Sequence, residues 1–393
     1  MAEGDAHPHV VMLVRNPYTH DTRVEKEART LRDAGYSVTV VCHAAEGLPL
    51  TEERDGIAVR RVPRPSGTIP GIRFLRYASV LRRALEEAGP DILHAHDSDA
   101  LGPVAAAAKR LHRPFVYDAH ELWLGRPPRD RGRAYRLLYR AWYGALERRT
   151  VPKAAAHITV SPPIARHLKR RYGIGRVELV ANYPEYSGPV TRRELRELTD
   201  AVPSAAPIIL HLGAYLPDRG LEQVVEALRD VPGAHLVLLG AGDRGSEIVR
   251  YAAGLGVGDR VHPLPPVPSD DVTSYAASAT IGIAPILPTT LNNAYSLPNK
   301  LFQYMAAGLP VVASNLPQMR EIVEGSGAGV TVDSRDITSL SATLRELLGD
   351  RDRLAAMGDS ARRAVEERYN WDVSAGTLRA VYERVANRVT RAV

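Results

Sequence analysis

The feature that most constrains this chain is a repeated alternation of short apolar runs with amphipathic helical patterns. Apolar runs at residues 9–14 and 36–42 enclose a helical pattern at residues 23–34, which predicts a βαβ unit. Thr22 and Glu25 have the spacing of a capping box at the start of that helix. Further strands of this first series are predicted at residues 57–62, 91–96, 115–120, 157–161 and 177–182.

A second series follows a stretch rich in Pro, Gly, Ser and charge, with strands predicted at residues 208–213, 235–240, 261–264, 281–285, 310–314 and 329–332. A chain of 393 residues exceeds one ordinary core, so two domains are expected. The predicted fold is α/β, with two doubly wound Rossmann-like domains facing a cleft and ligand groups on the loops after the strands. The predicted boundaries are 1–185, a linker at 186–206, 207–370, and a final helix at 371–393.

One helix start in the second series indicates an anion site. A helix is predicted to begin near Pro298 and to end at Gly308, because proline fits the first turn, where its missing N–H has no intrahelical partner. The N–H groups of Asn299 and Lys300 then remain free for an anion. The chain has only five lysines. A lysine in a first turn, where the helix dipole disfavours cations, indicates an anionic neighbour.

Arg219 supplies a second positive charge in the same series. It lies in GAYLPDRGLE, residues 213–222, between a strand end and a helix start. An arginine at such a place can donate two hydrogen bonds to a phosphate, and the alternative is ordinary surface charge. Arg219, Lys300 and the free N–H groups after Pro298 together form a candidate diphosphate site.

Residues 240–245, GAGDRG, match the GxGxxG pattern of dinucleotide-binding loops between a strand and a helix. The segment that follows carries no acidic residue at the end of a clear second strand, where a ribose partner is expected. Two interpretations stay open for Gly240 and Gly242: a tight turn, and a nucleotide-binding loop that does not bind NAD.

Histidines and acids end two strands of the first series. His94 and His96 share one strand face in HAHDSD, and Asp97 and Asp99 follow them in an Asp-x-Asp arrangement. The sequence contains no second group of metal ligands at a fixed spacing from these residues, so no metal is predicted. The favoured interpretation is that these residues form a strand end that lines the cleft. His120 ends the next strand, and its imidazole faces the same cleft in this interpretation.

Residues 126–149 carry eight arginines against two acids, with an apolar helical face at Tyr135, Leu138, Tyr139, Trp142 and Leu146. A basic amphipathic helix can lie on an anionic membrane. The pattern also fits a helix packed on the core with a solvated charged face, and that interpretation is favoured. Both remain open.

Composition excludes several classes of function. The single cysteine, Cys42, lies in an apolar run, which excludes a disulfide framework and a multi-cysteine zinc site. A net charge of +6 is mild, and the sequence contains no nucleic-acid-binding module, so the expected ligands are anionic small molecules or a membrane surface. The chain lacks a signal-peptide pattern and a membrane-spanning run, which predicts a cytoplasmic protein, peripheral at the inner membrane face if residues 126–149 contact lipid.

These motifs together resemble the retaining glycosyltransferases of family 4, which have the GT-B fold. The resemblance extends over nearly the whole chain, and the PNKLF-x-YMAAG-x-PVVAS stretch is its most specific part. Seven segments carry it in order, at residues 16–41, 91–102, 115–121, 212–222, 236–245, 295–323 and 368–385.

The resemblance implies a metal-independent enzyme without a cofactor, whose donor substrate is a nucleotide-diphosphate sugar. The second domain would bind this donor, the first would bind the acceptor, and the final helix would return to the first domain. Arg219 and Lys300 would bind the diphosphate, and His120 would lie beside the transferred sugar. The other donor-binding residues implied are Gly213, Gly240, Gly242, Tyr295, Ser296, Asn299 and Gln303. The implied acceptor-side residues are Asn16, Asp21, Arg23, His96, Asp97 and Glu121.

The chain departs from the family pattern at three positions. Family members usually carry two glutamates eight positions apart, and this sequence has Tyr295 and Gln303 in their places. Family members also commonly carry an arginine after the glycine of the diphosphate loop, and this sequence has Ala214 there. Gln303 can still hydrogen-bond a ribose, without the charge assistance that separates contacts of roughly 1.5–3 kcal/mol from neutral ones near 1 kcal/mol.

The predicted function is therefore retaining transfer of a sugar to an acceptor hydroxyl, in glycan or natural-product biosynthesis. The acceptor is left open among a small molecule, a glycan and a lipid-linked molecule. Two alternatives remain: a sugar-nucleotide 2-epimerase of the same two-domain plan, and a non-catalytic sugar-nucleotide binder.

Overall fold

The structure is a computed structural model of the 393-residue chain, and it describes residues 8–66, 70–125 and 132–390. The chain divides into two compact units. The first contains the chain up to Asn182 together with the chain from Ser374 onward, and the second is Tyr183–Val373. The predicted linker, residues 186–206, belongs to the second unit, where Leu195 is fully buried and its N–H donates to Ser278 Oγ at 3.0 Å.

The first unit is built on an eight-stranded sheet with the order β3-β4-β2-β1-β5-β6-β7-β8. Numbered along the chain, its strands are β1 His9–Leu13, β2 Ser37–His43, β3 Thr51–Arg54, β4 Ile57–Val62, β5 Ile92–His96, β6 Phe115–Ala119, β7 Ala156–Thr159 and β8 Glu178–Leu179. Its helices are α1 Thr22–Asp33, α2 Pro70–Glu87, α3 Asp97–Leu111, α4 Arg133–Thr150, α5 Pro162–Tyr172 and most of α14, Trp371–Thr390. All pairs are parallel except β3–β4.

The second unit contains a six-stranded parallel sheet with the order β11-β10-β9-β12-β13-β14. Its strands are β9 Ile208–Leu212, β10 His235–Leu239, β11 Val261–Leu264, β12 Ile281–Ala284, β13 Val311–Ser314 and β14 Gly329–Val332. Its helices are α6 Leu221–Ala227, α7 Gly245–Gly254, α8 Val272–Ala276, α9 Leu291–Ala294, α10 Asn299–Ala306, α11 Pro317–Val323, α12 Ile337–Gly349 and α13 Arg351–Glu367.

The central strands of both sheets are parallel and buried on their two faces, which explains why these strands are runs of apolar residues without alternation. Every residue of β10 is buried, and so is every residue of β5 and β6. Parallel register brings the carboxyl ends of neighbouring strands to one edge: His96 pairs with Asp118, and Leu212 pairs with Leu239. The two parallel-sheet α/β units confirm the predicted fold class.

The structure contains one strand that was not predicted. Strand β3 has the sequence TEER and pairs antiparallel with β4 through a turn at Asp55 and Gly56. Both turn residues have positive φ, 50° and 71°, as hairpin turns of this kind require. The strand carries no apolar alternation, because it lies at the edge of the sheet with its side chains partly or fully exposed.

The predicted start of α1 needs one correction. Asp21 is the N-cap, and its Oδ1 accepts the Val24 N–H at 3.2 Å, whereas Thr22 is already inside the helix. An aspartate satisfies a free N–H at this position as well as a threonine does, so the capping-box spacing of Thr22 and Glu25 was misleading. The prediction for α10 is confirmed: Pro298 is the N-cap and the helix ends before Gly308.

Candidate active site

The carboxyl ends of β5 and β6 bring histidines and an aspartate together in the first unit. His94 and His96 lie on the same face of β5, with stacked rings whose centroids are 4.1 Å apart. Asp118 lies opposite His96 in the register of β6. All three residues are buried, so every charge among them needs a partner within the protein.

Arg23 of α1 supplies that partner. Its guanidinium donates to Asp118 Oδ1 at 3.0 Å and Oδ2 at 2.8 Å, and to the Val180 carbonyl at 2.6 Å. It also lies 3.0 Å from Glu27 Oε1, one turn along the same helix. Burial alone would raise the pKa of Asp118, but Arg23 and then His120 hold it well below its usual value. Burial raises the pKa of Glu27 to about 8 against the opposing effect of Arg23.

His120 follows β6 and lies between two carboxylates. Its backbone N–H donates to Asp97 Oδ1 at 2.8 Å, and its Nε2 lies 3.1 Å from Asp118 Oδ2. Its Nδ1 lies 3.6 Å from Asp97 Oδ2. Burial would lower the pKa of His120, but Asp97 and Asp118 raise it to about 9. The imidazole is therefore protonated on both nitrogens at neutral pH, and it can donate a hydrogen bond but cannot act as a base.

The neighbouring histidines stay neutral. Burial, above all, lowers the pKa of His96 and lowers that of His94 further. His96 Nδ1 lies 3.2 Å from His120 Nε2. His94 Nδ1 lies 2.7 Å from the hydroxyl of Tyr382 on α14, within the same unit. Within this cluster of His94, His96, Asp118, His120 and Arg23, the positive charge therefore lies on His120 and Arg23.

The other predicted acceptor-side residues have separate roles. Asn16 donates through Nδ2 to Asp21 Oδ2 at 2.6 Å, and its Oδ1 accepts the Tyr18 N–H, so the pair holds the loop between β1 and α1. Asp97 opens α3 at a φ of 63°, and burial raises its pKa to about 7 despite His120. Glu121 is half-buried, and its charge also raises the pKa of Asp97.

The same cluster contains a group of possible metal ligands. Glu27, His94, His96 and Asp118 each offer one ligand atom, and these atoms lie within 4.8 Å of one another. Arg23, however, already donates to Asp118 and pairs with Glu27, so a positive charge occupies the place of a cation. These four side chains therefore suit the guanidinium of Arg23 at least as well as they suit a metal ion. That the protein works without a metal stays a prediction.

In the second unit, Lys300 lies against a buried histidine. Its Nζ is 3.0 Å from His211 Nε2, and His211, in the centre of β9, is fully buried. His211 also bonds the Ile283 backbone, and its Nδ1 lies 3.5 Å from the same Lys300 Nζ. Burial and then the charge of Arg219 lower the pKa of Lys300 well below its usual value. An anion bound here would restore that charge.

Backbone packing determines the place of Arg219. The next residue, Gly220, has a φ of 65°, and a Cβ on it would lie 1.9 Å from the Pro285 carbonyl oxygen at the end of β12. Only glycine allows this approach. The charge of Arg219 lowers the pKa of both Lys300 and His211, so the three side chains occupy one neighbourhood.

Glycines bring two loops of the second unit into contact. A Cβ on Gly240 would lie 2.3 Å from the carbonyl oxygen of Gly213, and Gly213 itself has a φ of 94°. Gly242 packs on Tyr215, whose hydroxyl donates to the Leu238 carbonyl at 2.6 Å. The loops after β9 and β10 therefore meet backbone to backbone, and Gly213 and Gly242 are exposed there.

The start of α10 lies beyond the loop that contains Tyr295 and Ser296. Ser296 donates through Oγ to the Asn293 carbonyl at 2.9 Å, and both residues are half-buried. Asn299 is exposed at the first helical position, after a proline N-cap that makes no side-chain cap. Gln303 lies one turn further on the same helical face as Asn299.

Sequence reasoning did not identify three residues of these clusters as site residues: Glu27, Asp118 and His211. A signal existed for His211, since a histidine within the apolar run IILHL, a fully buried strand, requires a hydrogen-bond partner. Asp118 similarly interrupts the buried strand FVYDA. Glu27 carries no such signal, because a glutamate on a helix is ordinarily solvated.

The chain matches two family models that describe glycosyl transfer. "Glycosyltransferase Family 4" matches residues 21–183, and "Glycosyl transferases group 1" matches residues 206–350. The two models together match most of the chain, which belongs to glycosyltransferase family 4 and has the GT-B fold.

Relatives and solved structures agree with this family. A GDP-mannose-dependent alpha-(1-6)-phosphatidylinositol monomannoside mannosyltransferase of Mycobacterium tuberculosis is 31% identical over 195 residues, 48% of this chain and about half (50%) the length of that enzyme. A D-inositol 3-phosphate glycosyltransferase of Xylanimonas cellulosilytica is 27% identical, over 92% of this chain and 90% of the relative. Sucrose-phosphate synthase from Thermosynechococcus elongatus superposes with a TM-score of 0.80 at 19% identity, covering 97% of this chain and all (100%) of that one.

Within the described parts of the chain, no helix has the length and apolar character needed to span a bilayer.

Proposed function

We propose that this protein transfers a sugar from a nucleotide-diphosphate donor to an acceptor hydroxyl with retention of configuration. The observation that carries the proposal is the cluster of Lys300, His211 and Arg219 beside the start of α10. Lys300 and Arg219 share this neighbourhood, Lys300 is held by a buried imidazole, and a bound anion would favour the charged form of the lysine. The family models and the relatives support the same activity.

The chemistry explains why fixed cations suit this reaction. As the glycosidic bond to the donor breaks, negative charge develops on the departing diphosphate while the anomeric carbon becomes cationic. Groups positioned in advance at the developing charge stabilise the transition state more than the ground state. Lys300, Arg219 and the free N–H groups at the start of α10 supply this stabilisation, so that neither a metal nor a cofactor is required.

The donor nucleotide would lie against the exposed glycine loops. Gly213 and Gly242 present backbone without side chains, which allows close approach of a ligand. Gln303 and Asn299 share a helical face beside Lys300 and can hydrogen-bond ribose or phosphate oxygens. Tyr295 and Ser296, on the preceding loop, complete the proposed donor site.

His120 supplies a positive hydrogen-bond donor in the first unit. Since Asp97 and Asp118 keep it protonated, it would donate to a sugar hydroxyl or to a phosphate oxygen. Arg23 acts indirectly, because its buried guanidinium pairs with Asp118, and Asp118 in turn pairs with His120.

The acceptor proposed is lipid-linked and reached by peripheral contact with a membrane. Helix α4 carries arginines on one side, while Leu138 and Trp142 of its apolar side are 70% and 51% exposed. The sequence favoured a helix whose apolar face packs on the core. That prediction is wrong for Leu138 and Trp142, although Tyr143 of the same helix is buried. Residues 126–131 of the predicted membrane segment lie outside the described residues. The mycobacterial relative's name, which contains phosphatidylinositol, supports a lipid acceptor.

The experiment is incubation of the purified protein with a panel of nucleotide sugars, with and without lipid and soluble acceptors. Nucleoside diphosphate released only when an acceptor is present, together with a glycosylated acceptor, is the expected result. An altered sugar on the nucleotide, which indicates epimerisation, or binding without turnover for every donor would overturn the proposal.

A further inference from the structure

The first unit contains a pocket of about 760 Å³ between α2 and α4 that the proposed donor chemistry does not use. Pockets of roughly 300–1,000 Å³ hold one small ligand. Among the residues that the structure describes, six aromatic side chains and three arginines line it, and none of these lining residues is acidic. The residues are Arg15, Arg64, Pro65, Gly71, Ile72, Arg73, Phe74, Leu75, Tyr77, Tyr135, Leu138, Tyr139, Trp142 and Tyr143.

The aromatic side chains form the walls of this α2/α4 pocket. Phe74 of α2 meets Trp142 of α4 edge to face, with ring centroids 6.0 Å apart. Tyr139 lies against Tyr143, with centroids 4.7 Å apart. Such contacts hold the two helices in register while leaving ring faces open to a ligand. The walls are therefore suited to an apolar body.

The mouth of the pocket continues into an exposed apolar surface. Ile72 and Leu75 of α2 are 52% and 57% exposed, and Leu138 of α4 is 70% exposed. Scattered exposed leucines are normal, but here they adjoin one another around one opening. A ligand with an apolar chain would cover both the walls and the mouth.

One end of the pocket carries two arginines, Arg15 and the exposed Arg64, on either side of His43. Arg15 Nε lies 2.9 Å from His43 Nε2, and Arg64 Nη2 lies 2.7 Å from His43 Nδ1. Burial, Arg15 and Arg64 lower the pKa of His43 to about 4, so the ring is neutral. A neutral imidazole has one lone pair and can accept from only one of the two guanidiniums.

Neither Arg15 nor Arg64 has a carboxylate within 4.0 Å in residues 8–66, 70–125 and 132–390, although the charge of Arg15 acts on the more distant carboxylate of Asp99. Arg15 also lies over the Tyr77 ring, 5.2 Å from its centroid, at the boundary between charge and apolar wall. A phosphate would accept from both guanidiniums and supply the missing acceptor.

We propose that the α2/α4 pocket is the subsite for an anionic lipid acceptor, with the apolar chain between Phe74, Tyr139 and Trp142 and a phosphate on Arg15 and Arg64. The inference rests on the proposed function, because it names the acceptor class of that reaction. Arg15 also donates to the Asp99 carbonyl in α3 at 3.2 Å, and the charges of Arg15 and then His120 oppose the raising of the pKa of Asp99 by burial.

A second copy of the chain fits this surface less well. A symmetric contact across α4 would bring each copy's arginines against the other's, and five lie on this one helix: Arg133, Arg136, Arg140, Arg148 and Arg149. Like charges facing one another oppose association. An anionic lipid instead complements the surface in both its charge and its apolar part.

Calorimetry with a soluble, short-chain diacyl phosphate tests the subsite on the full chain, with the phosphocholine of the same chain length and inorganic phosphate as comparison probes. Wild type should bind the diacyl phosphate more tightly than either. Arg64→Gln should weaken that binding roughly 10-fold and leave the phosphocholine unchanged, because only the charge-assisted hydrogen bond is lost. Trp142→Ala should weaken both lipids by roughly 5-fold or more.

Arg113→Gln is the matched control, since Arg113 pairs with Asp91 at 3.3 Å at the opposite end of the sheet and should leave all three affinities unchanged. Arg64 is exposed and Trp142 is 51% exposed, so both variants should fold, and thermal unfolding checks this. Equal lipid affinity in wild type and Arg64→Gln, or a monomer–dimer shift in Trp142→Ala without loss of lipid binding, overturns the proposal.

The same samples separate this proposal from the activity. One outcome is that wild type and both pocket variants transfer sugar equally well to water-soluble acceptors and that none of them binds the lipid. This outcome rejects the subsite and leaves the proposed function intact. Lipid binding that depends on Arg64, with no turnover of any nucleotide sugar, supports the subsite and rejects the proposed function.

Discussion

Lys300 Nζ lies 3.0 Å from Nε2 of His211, an imidazole that is fully buried in the central strand β9. A lysine is seldom held by a neutral histidine, since water or a carboxylate is the ordinary partner. The contact fixes the direction of the lysine before a ligand arrives, and burial, followed by the charge of Arg219, keeps its pKa low until an anion binds. The arrangement is that of a site built to receive negative charge.

Lys300→Ala should lower turnover roughly 100-fold, because a fixed donor to the leaving diphosphate is lost. The melting temperature should not fall, since a buried cation with a low pKa contributes little favourable energy to the fold. Steady-state kinetics and thermal unfolding measure the two effects. Lys169→Ala, an exposed lysine on α5, is the matched control, and near-normal turnover in Lys300→Ala would remove that lysine from the mechanism.

Replacing His211 tests whether the imidazole positions Lys300. His211→Leu removes the acceptor and should lower kcat roughly 10- to 100-fold, because small misplacements of a catalytic group have effects of this size. His211→Gln can still accept from Lys300 and donate to the Ile283 carbonyl, so it should recover most of the activity. A purely structural role predicts instead that kcat follows the melting temperature of each variant.

The protonation of His120 can be measured directly. Because Asp97 and Asp118 raise its pKa to about 9 against burial, its ring should remain doubly protonated through neutral pH. Nitrogen NMR of histidine-labelled protein, with His120→Asn to assign the signal, gives the titration. A midpoint near the ordinary 6.5 would contradict the arrangement described here.

The same shift predicts how stability depends on pH. The folded-state pKa of His120 is above its unfolded value of 6.5, so the charge contributes stability that is complete below pH 6.5 and is lost as the pH rises through about 9. Urea unfolding of wild type and His120→Asn across this range isolates the contribution. The difference between the two proteins should shrink between those limits, and a constant difference would count against the linkage.

Arg23→Met should destabilise the first unit by about 3–5 kcal/mol, because it leaves the buried carboxylates of Asp118 and Glu27 without their counter-charge. The control is Arg113→Gln, which breaks an ion pair of partly exposed side chains at 3.3 Å and should cost about 0–1 kcal/mol. Equilibrium urea unfolding compares the two variants. Equal costs would show that Arg23 is not the residue that compensates this cluster.

Gly240→Ala tests the contact between the glycine loops. A Cβ there would lie 2.3 Å from the Gly213 carbonyl oxygen, so the loops must separate, at a cost of about 1–3 kcal/mol and with weaker donor binding. Gly254→Ala is the control: nothing lies within 4 Å of its Cβ position at the end of α7, and it should stabilise by about 0.4–1 kcal/mol. Thermal unfolding and nucleotide titration decide whether the two variants differ as expected.

Much of the scaffold was predictable because it depends on neighbouring residues in the chain. Residues 57–62 and 261–264 were predicted as strands with the bounds that the structure shows, and the glycine pattern at residues 240–245 lies between a strand and a helix as expected. The edge strand β3 was missed because its charged sequence has no apolar period. The roles of the predicted site residues stay predictions until the variants are measured.

The sequence by itself determined the order of the strands along the chain, the glycine-rich loops and the proline that begins α10, since periodicity and local sterics act over a few residues. Only the tertiary structure decided which charges meet. Arg23 and Asp118 are 95 residues apart, and Lys300 and His211 are 89 apart. Solvation and Coulomb interactions depend on distance through space, so the pKa of His120 and the partner of Lys300 exist only once the chain has folded.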